Sequence, residues 1–524
     1  MPTLWHSQAL IFFLCLCSAL FTSCGGSSSN PPLPAQDFTL SVSTAEIVTT
    51  AGTVSPPFSV SITGKNGFRD TASVTLSGLP SGATSQPASP FTVGAGQSQA
   101  VTISVPASLG LGGFTVQVDA ASGSLSHQDQ VILVLMVIKT SDTGTMLELE
   151  TDTLSETTRV GLLKEWGGSI IEVSLNGTDY VNNDDPGRQI QTSLWDGNAN
   201  YITSWGYNPI EAGDHFFHGS PLLANTLLPE SIYTKTQPIQ WAPENFGSGT
   251  DPLLGDAYIE KWISVVPGYN RVFKVHYRIT HFGTDSHAQN LQELPVAYVN
   301  PNTPHFLYYG GTNPWTNGAL TPFDVQGPCC DHVHTPEKWG AYVDSTNIGL
   351  ALYTPMQFPH SQVFNAVSTL QLTPLCPFSW GPSTVLEFDT YILVGPVDQS
   401  RAAIYAFHSQ QSESSPLPPW GALDFPTNGD TLRGNASVSG WAWSLSPLAS
   451  IVVLLDGSQV ASATLGISRP DVTSVFPDAP PDTGFEASLD TTKFSNGTHS
   501  LIVKGTNVNG AVTILPTVQV AISN

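Results

Sequence analysis

Basic residues are scarce in this chain. Its 524 residues include 17 lysines and arginines against 41 aspartates and glutamates, which gives a formal net charge of −24. Such a chain repels phosphate backbones, and no basic stripe runs along it, so nucleic acid is not an expected partner. The same acidity keeps copies of a soluble surface apart, and we expect a monomer.

Long hydrophobic runs and cofactor motifs are also missing. The run from Ala9 to Phe21 is too short to cross about 30 Å of hydrocarbon as a helix, and no other segment is longer and as apolar. The sequence has no nucleotide-binding glycine loop, no Gly-x-Ser-x-Gly elbow and no zinc-protease helix pattern. We therefore predict no cofactor and no metal.

Cysteine is rare, with six residues in the chain. Two of them lie in the apolar run at the start, which suits an export signal that is removed. In an oxidising compartment Cys376 is expected to form a disulfide with Cys329 or Cys330. Spacing leaves both pairings open, and we take Cys330 with Cys376 as the prediction. The alternative is a metal site between Cys329 and His334, although adjacent cysteines rarely reach one ion together.

The rest of the composition indicates short strands joined by turns. Glycine (46) and proline (41) are abundant, only 11% of residues are charged, and 40% are hydrophobic. Such a chain can build hydrophobic cores, so general disorder is excluded. At about 150 residues per domain, the length predicts roughly three domains in an all-β protein.

The residues around Cys24 resemble the lipobox of bacterial lipoproteins, in which small residues precede a cysteine that receives lipid. The apolar run ends in LFTSC, and the flexible stretch GGSSSNPPLP follows it. The resemblance implies a signal peptide over residues 1–23, lipidation of Cys24 and a tether over residues 24–36. It also implies export to the cell envelope, with a lipid anchor in a bacterial membrane.

Residues 37–138 alternate between apolar and polar side chains, as in Val101-Thr-Ile103-Ser-Val105. Alternation places one side of each strand in a core, and the pattern predicts a sandwich of about seven strands. The stretches Leu76-Ser-Gly-Leu-Pro-Ser-Gly82 and Gly113-Phe-Thr-Val resemble bacterial immunoglobulin-like modules. The resemblance implies an immunoglobulin-like domain over this range.

Residues 418–524 resemble a second bacterial immunoglobulin-like family. The similarity rests on Gly440-Trp-Ala-Trp443, on Arg469-Pro-Asp-Val472 and on the turn signals around them. Asp456-Gly457 and Asn496-Gly497 each predict a hairpin turn, because both dipeptides tolerate the positive φ that a tight turn requires. Modules of this kind act as spacers or adhesive units, so no active site is assigned to either flank.

Residues 139–412 form a segment too long for one immunoglobulin-like module of about 100 residues. It is rich in strand patterns, and no amphipathic helix is predicted in it. The stretches from Gly167 to Gly177 and from Asp185 to Gln191 resemble the opening hairpins of the galactose-mutarotase-like supersandwich. The resemblance implies a large central β-supersandwich between two immunoglobulin-like β-sandwiches, with a sugar ligand. Mutarotation is not predicted, because the paired histidines and late glutamate of aldose epimerases are not found.

Sugar recognition needs flat apolar faces for the ring and forked polar groups for its hydroxyls. The central segment supplies both kinds of residue on turn-rich stretches. The predicted substrate-binding residues are Arg188, Gln189, Gln191, Trp195, His305 and Trp315. The alternative for Arg188 is a structural ion pair with Asp184 or Asp185, and the alternative for the tryptophans is burial in a core.

Candidate catalytic groups are carboxylates for hydrolysis and histidines for elimination. The carboxylate candidates are Glu293, Asp214, Glu260 and Glu337, and the histidine candidates are His215, His305 and His332. Glu293 is preferred because Gln292-Glu293-Leu-Pro295 is similar to stretches in sandwiches of polysaccharide-active enzymes. We predict Glu293 and His332 as catalytic, while a structural role is the alternative for each histidine.

Together these observations predict a membrane-anchored extracytoplasmic lipoprotein that binds a carbohydrate polymer and processes it as a glycoside hydrolase or a polysaccharide lyase. The alternative function is that of a non-catalytic adhesive or structural envelope protein, which the low charge and the flanking modules equally suit.

Overall fold

The computed structural model describes residues 34–199, 206–324, 331–366, 369–410 and 415–524. Within these ranges the protein is built from strands packed into sandwiches, so the all-β prediction is confirmed. No helix in this part of the chain is long and apolar enough to cross a membrane. The predicted signal peptide, Cys24, Cys329 and Cys330 lie outside the described residues and stay predictions.

The first domain is a two-sheet sandwich, as the alternating pattern predicts. One sheet has the order β1-β3-β7-β5, and the other is formed by β2, β9, β8, β4 and β6. Val101 and Ile103 on β7 point into the same core as Phe58 on β3, and all three are buried. Its nine strands are β1 (Asp37–Val42), β2 (Glu46–Thr50), β3 (Phe58–Lys65), β4 (Thr71–Ser77), β5 (Thr84–Gln86), β6 (Phe91–Gly94), β7 (Gln97–Ser104), β8 (Gly112–Ser122) and β9 (Leu125–Asp142).

Strand β9 connects the first domain to the second without a linker. It is 18 residues long. Residues 125–135 of it pair with β8, and Val137 to Asp142 pair with the first strand of the next domain. The predicted boundary between residues 138 and 139 therefore falls inside a continuous strand.

The second domain is a large sandwich of two sheets. The front sheet runs in the order β10-β11-β12-β14-β21-β28-β27-β24, and the back sheet runs β16-β17-β19-β20-β30-β26-β25-β22-β23. Its strands are β10 (Met146–Asp152), β11 (Thr157–Leu163), β12 (Ser169–Leu175), β13 (Thr178–Asp179), β14 (Ile190–Ser193), β15 (Pro209–Ile210), β16 (Leu222–Leu228), β17 (Ser231–Thr236), β18 (Ile239–Gln240), β19 (Ala257–Val265), β20 (Val272–His281), β21 (His287–Val299), β22 (His305–Tyr308), β23 (Thr321–Phe323), β24 (Asp331–His334), β25 (Trp339–Val343), β26 (Ile348–Tyr353), β27 (His360–Ala366), β28 (Thr369–Pro374), β29 (Cys376–Trp380) and β30 (Val385–Pro396).

The core of this domain fills the space between the two sheets. Leu370 and Leu372 on β28 and Val299 on β21 reach it from the front sheet, while Val275 and Ile279 on β20 reach it from the back sheet. Each of these side chains is buried. Because side chains alternate along a strand, the residues between them point to the outer faces of the sheets.

The helix α1 (Val397–His408) was missed in the sequence. It follows β30 directly and covers the outer face of the back sheet, where Val397, Ala403, Ile404 and Phe407 pack in one buried cluster with strand residues. These positions recur at helical spacing. The signal was weak because Ser400 and Arg401, which are polar, share the buried face.

The third domain is again a two-sheet sandwich with its own core. Asp456-Gly457 joins β34 to β35 with positive φ at both residues, so this hairpin turn is confirmed. The Asn496-Gly497 prediction is wrong, because β37 and β38 on either side of it belong to different sheets. Asn496 instead bonds Asn524. The elements are β31 (Trp420–Phe425), β32 (Thr431–Leu432), β33 (Asn435–Trp443), β34 (Leu448–Leu455), β35 (Ser458–Ser462), β36 (Thr464–Ile467), α2 (Pro470–Val475), β37 (Gly484–Asp490), β38 (Gly497–Asn507), β39 (Val512–Ile514) and β40 (Val518–Ile522).

The second and third domains share buried surface. Trp443 of β33 packs edge-on against Phe358, with ring centroids 4.8 Å apart. Gln289 of β21 donates to the carbonyl of Pro419 at 2.7 Å and accepts from the amide of Gly421 at 3.1 Å. These contacts fix the third domain against one end of the central sandwich.

Candidate functional site

The outer face of the front sheet is polar where its inner face is apolar. On β28, Gln371 and Thr373 point away from the core that holds Leu370 and Leu372. Both polar side chains are nevertheless buried, with 2% and 5% of their surface exposed. Buried polar groups require hydrogen-bond partners, so the contacts of these side chains have to be accounted for.

Glu293 and Tyr298 meet Gln371 on this face. The amide nitrogen of Gln371 donates to Glu293 Oε1 at 3.1 Å and lies 3.5 Å from the hydroxyl of Tyr298. Glu293 and Tyr298 are five residues apart and would face opposite sides of a regular strand. A register irregularity between β14 and β21, where Ser193 pairs with Glu293 and Gln191 with Val296, lets them share one side.

The environment of Glu293 favours its protonated form. Burial raises the pKa of Glu293 to about 7, and the hydrogen bond from Gln371 opposes only part of that rise. Burial also raises the pKa of Tyr298 well above its ordinary value, and the nearby Glu293 adds to that rise. Glu293 therefore has the pKa of a group that can donate or accept a proton near neutral pH.

His332 lies on the same face, in a row that crosses three strands. It pairs with Gln362 on β27, and Gln362 pairs with Thr373 on β28. His332 Nε2 donates to Gln362 Oε1 at 3.3 Å, and the His332 side chain is exposed. In the neighbouring row the rings of Tyr298 and Phe364 lie edge to face, with centroids 6.3 Å apart.

Three polar atoms on β28 have no hydrogen-bond partner in the described part of the chain. They are Gln371 Oε1, Thr369 Oγ1 and Thr373 Oγ1, all on the outer side of the sheet. An unsatisfied buried polar atom costs about 1–3 kcal/mol, and a water molecule or a ligand hydroxyl would offset that cost once these side chains turn toward the surface. We call the surface formed by Glu293, Tyr298, Phe364, Gln371, Thr373, Gln362 and His332 the polar face.

The residues of the 185–191 stretch border the polar face but are occupied structurally. Arg188 forms an ion pair with Asp185 at 3.0 Å, which is the structural alternative. Gln189 is fully buried and is bonded to Ser169 Oγ and to the carbonyl of Asp185. Gln191 donates to the carbonyl of Pro186 and accepts from the amide of Ala212. Arg188 is the one of the three predicted ligand-binding residues here that keeps an accessible side chain.

Trp315 and His305 do not reach the polar face. Trp315 stacks on His408 of α1 with centroids 3.5 Å apart, behind the back sheet, and His305 begins β22 of that sheet. Trp195 is partly exposed and lies beside Gln292, the residue before Glu293. The backbone N–H of Trp195 donates to Gln292 Oε1 at 2.6 Å, and Gln292 Nε2 donates to the carbonyl of Trp195 at 2.8 Å. Of the predicted aromatic platforms, Trp195 is therefore the nearer to Glu293.

The other carboxylate candidates have structural partners. Asp214 is buried and accepts bonds from the backbone of residues 216 and 218 and from His218. Glu337 is buried between Trp339 and Arg401, and Glu260 accepts from Tyr233 on the back sheet. His215 pairs with Glu244 at 3.0 Å.

Cys376 lies buried at the start of β29, beside the carbonyl of Leu294. Burial raises the pKa of its thiol well above the ordinary value. Among the described residues it has no disulfide partner, and its predicted partner Cys330 lies outside them.

Two clusters of histidine and aspartate were missed in the sequence. One consists of Asp256, His281, Asp285 and His287, and the other of His334, His360 and Asp478. The first had a local signal, because a His-x₃-Asp-x-His spacing occupies seven residues between two strand patterns. The second combines residues from two domains, which no local pattern reports.

No protein-family model matches the chain, and no curated protein matches it. Among solved structures, a polysaccharide lyase is 9% identical, and the match covers 70% of this chain and 46% of the lyase, with a TM-score of 0.26. A protein designated an aldose 1-epimerase from Klebsiella pneumoniae is 13% identical over 57% of this chain and 90% of its own, with a TM-score of 0.32.

The four N-terminal immunoglobulin domains of Dscam1 are also similar, at 9% identity over 93% of this chain and 100% of theirs, with a TM-score of 0.17. The chain spans less than half of the lyase.

Proposed function

We propose that the polar face is a carbohydrate-binding surface, carried by an exported and lipid-anchored protein. The observation that carries the proposal is the contact of Gln371 with both Glu293 and Tyr298, among buried polar atoms that the chain leaves without partners. Hydroxyl-rich ligands satisfy such atoms when the side chains turn toward the surface, and the rings of Tyr298 and Phe364 offer apolar surface for a sugar ring.

The spacing of Glu293 and His332 favours a polymer over a single sugar. Three strand spacings of about 4.8 Å each separate their strands, so their backbones lie about 14 Å apart at least. Side chains on one face of a sheet extend side by side and keep roughly the spacing of their strands, whereas carboxyl pairs that act on one glycosidic bond lie about 5–9.5 Å apart. We therefore assign Glu293 and His332 to different units of one bound chain, with Glu293 as the proton donor if a bond is cleaved.

Binding is tested with immobilised polysaccharides, both neutral and uronate-containing, by comparing the wild type with Gln371→Ala and Tyr298→Phe. Each loses hydrogen bonds at the polar face, and loss of about 1.5 kcal/mol corresponds to roughly tenfold weaker binding. Trp262→Ala, on the outer face of the back sheet, is the aromatic control and should bind normally. Binding by both polar-face variants at wild-type strength would refute the proposed surface.

Cleavage is tested in the same samples by following new reducing ends and unsaturated products. Glu293→Gln should abolish any such product while the polymer stays bound. If no polymer binds, the adhesive or structural envelope function replaces the carbohydrate proposal.

Membrane attachment is proposed on the LFTSC sequence and the tether behind it. Labelling cells with a clickable fatty acid should mark the wild-type chain and a Cys17→Ser control. The Cys24→Ser chain should carry no label and should leave the membrane fraction. Equal labelling of all three chains would rule out Cys24 as the lipidation site.

A further inference from the structure

Asp256, His281, Asp285 and His287 converge where β19, β20 and β21 meet. Asp256 immediately precedes β19, His281 ends β20, Asp285 lies in the following turn and His287 begins β21. One donor atom from each side chain lies within 4.8 Å of those of the other three. We call this group the turn cluster.

The ring of His281 is oriented for its Nε2 atom to act as a ligand. The side chain is fully buried, and Nδ1 donates to the carbonyl of Gly381 at 2.7 Å. That bond leaves Nε2 directed at Asp256 Oδ2, 3.1 Å away, and at Asp285 Oδ1, 3.8 Å away. A second-shell carbonyl on the far nitrogen is the arrangement found behind most metal-bound histidines.

His287 repeats this arrangement with a carboxylate behind it. Its Nδ1 donates to Asp196 Oδ2 at 3.2 Å, and the ring stacks on Tyr207 with centroids 3.5 Å apart. His287 is 6% exposed, and its Nε2 atom has no hydrogen-bond partner in the described part of the chain. This atom points into the turn cluster, 4.0 Å from Asp256 Oδ2 and 3.8 Å from Asp285 Oδ2.

Gly283 leaves space at the centre of the cluster. A Cβ atom at this position would lie 2.6 Å from His281 Nε2, 2.9 Å from Asp285 Oδ1 and closer still to Asp256 Oδ2. The donor atoms therefore surround a point that a side chain of any other residue would enter. Atoms bound to one zinc ion at about 2.1 Å lie no more than about 4.2 Å apart. The four distances from a histidine Nε2 to a carboxylate oxygen, 3.1 to 4.0 Å, meet that limit, with Asp285 offering Oδ1 to His281 and Oδ2 to His287.

We propose that the turn cluster binds a divalent transition-metal ion of the zinc type, with His281 and His287 as nitrogen ligands and Asp256 and Asp285 as oxygen ligands. Two imidazoles favour such an ion over calcium or magnesium, which prefer all-oxygen sites. Tyr207 donates to Asp256 Oδ1 at 2.8 Å and orients that carboxylate. The site is distinct from the polar face and does not depend on the carbohydrate proposal.

The ion ties the 194–199 segment to the back sheet. Asp196, which holds His287, follows Trp195 directly and accepts a bond from the amide of Ala288 at 3.0 Å. Asp256 precedes β19, and His281 ends β20, the neighbouring strand of the back sheet. The ion therefore fixes the turn between β20 and β21, and through Asp196 it fixes the backbone beside Trp195.

The test uses the purified full chain, stripped with a chelator and titrated with Zn²⁺ and Co²⁺. The wild type should bind the ion, melt at a higher temperature with it, and give the visible absorption bands of Co²⁺ in a low-symmetry nitrogen and oxygen site. Gly283→Ala fills the centre without removing a ligand, and His287→Gln removes one ligand. Both should bind at least about tenfold more weakly, and Asp196→Asn should weaken binding about 10–100-fold through His287.

Two controls separate this site from other histidines. His276→Gln alters a surface pair with Asp389, and His360→Gln disrupts the His334 cluster. Both should keep the Co²⁺ bands of the turn cluster. Melting curves of the metal-free proteins identify any variant that is destabilised by the substitution itself. Gly283→Ala is then the decisive variant for metal binding, because all four proposed ligands remain in it.

The proposal is overturned if the stripped wild type shows neither Co²⁺ bands nor a shift in melting temperature on adding Zn²⁺. It is equally overturned if Gly283→Ala and His287→Gln bind as tightly as the wild type, or if His360→Gln alone loses the bands.

Discussion

Burial of Glu293 couples the stability of the protein to pH. Its pKa rises from the ordinary 4.5 to about 7 in the folded chain. A group whose pKa is raised on folding contributes stability that is fully present below the unfolded-state pKa and is lost as pH rises through the folded-state pKa. For Glu293 this window runs from about pH 4.5 to about pH 7.

We expect Glu293→Gln to remove this part of the pH dependence. As pH rises through this window, the wild type should lose stability relative to the variant. The difference between their free energies of unfolding should change by up to about 1.4 kcal/mol per unit of pKa shift. Urea denaturation at several pH values measures the gap. Glu387→Gln, at an exposed carboxylate, is the control and should follow the wild type. A gap that stays constant across the window would contradict the prediction.

Local sequence context singled out Glu293 as a candidate but could not predict the residues that surround it. Gln371 is 78 residues further along the chain and meets Glu293 only because β28 pairs with β21. The surroundings of Trp315 could not be predicted either. Its turn-rich context indicated an exposed loop, whereas the ring stacks on a helix that the sequence pattern did not reveal.

Buried charge holds the front and back sheets together at one end of the central sandwich. Lys261 on β19 and Glu211 are both fully buried and form an ion pair. The Lys261 ammonium also donates to the carbonyl of Gly168 at 2.6 Å, and Glu211 accepts from the amide of Thr192 on β14 at 3.0 Å. Burial lowers the pKa of Lys261, and Glu211 opposes that effect.

Lys261→Met should destabilise the protein by about 3–5 kcal/mol, because it leaves the carboxylate of Glu211 buried without a cation. Chemical denaturation measures the loss. Lys274→Met, which breaks a partly exposed pair with Asp389 on the adjacent strand, should cost no more than about 1 kcal/mol. Similar losses for the two variants would mean that the buried pair contributes no more to stability than the partly exposed pair.

Helix α1 is the second element whose packing can be measured. Ile404 is fully buried between the helix and the back sheet, so Ile404→Ala should cost about 2–5 kcal/mol. Ala402→Ser on the exposed side of the same helix should change stability by no more than about 0.5 kcal/mol. Thermal melting of both variants checks the prediction, and a small effect of Ile404→Ala would show that α1 is not docked.

Strands were predictable because one buried side leaves a period of two, as on β7 and β8. Turns were predictable only where local chemistry decides them. Asp456-Gly457 forms a hairpin between adjacent strands, whereas Asn496-Gly497 has the same chemistry at a crossing between sheets. Which sheet a strand joins depends on distant pairings that turn residues do not encode.

The second and third domains should unfold together as one cooperative unit. Trp443, Val472 and Ala479 of the third domain belong to the same buried cluster as the core of the central sandwich. Separate domains with small polar interfaces would unfold independently, whereas a shared apolar core couples them. Calorimetry should therefore give one transition for these two domains.

Trp443→Ala should weaken this coupling. Removing a buried tryptophan costs about 3–5 kcal/mol and opens the contact with Phe358. We expect the single transition to move to lower temperature or to split in two. Val508→Ala, at an exposed position of the third domain, should leave it unchanged. A curve for Trp443→Ala that matches the wild type would show that the interface contributes little.

Strand β9 sets the angle between neighbouring domains in a way that ordinary hinges do not. Its 18 residues extend over roughly 60 Å, and each peptide unit takes part in the geometry of one sandwich or the next. A single residue inserted near the middle of β9 would shift the register of its second half by one position and turn its apolar side chains from the core to the solvent. Insertions in the surface loops of this chain should therefore be tolerated, whereas the length of β9 is constrained by its pairing in both sandwiches. Because no flexible linker separates the two domains, we expect a force applied to one of them to be transmitted to the other through β9.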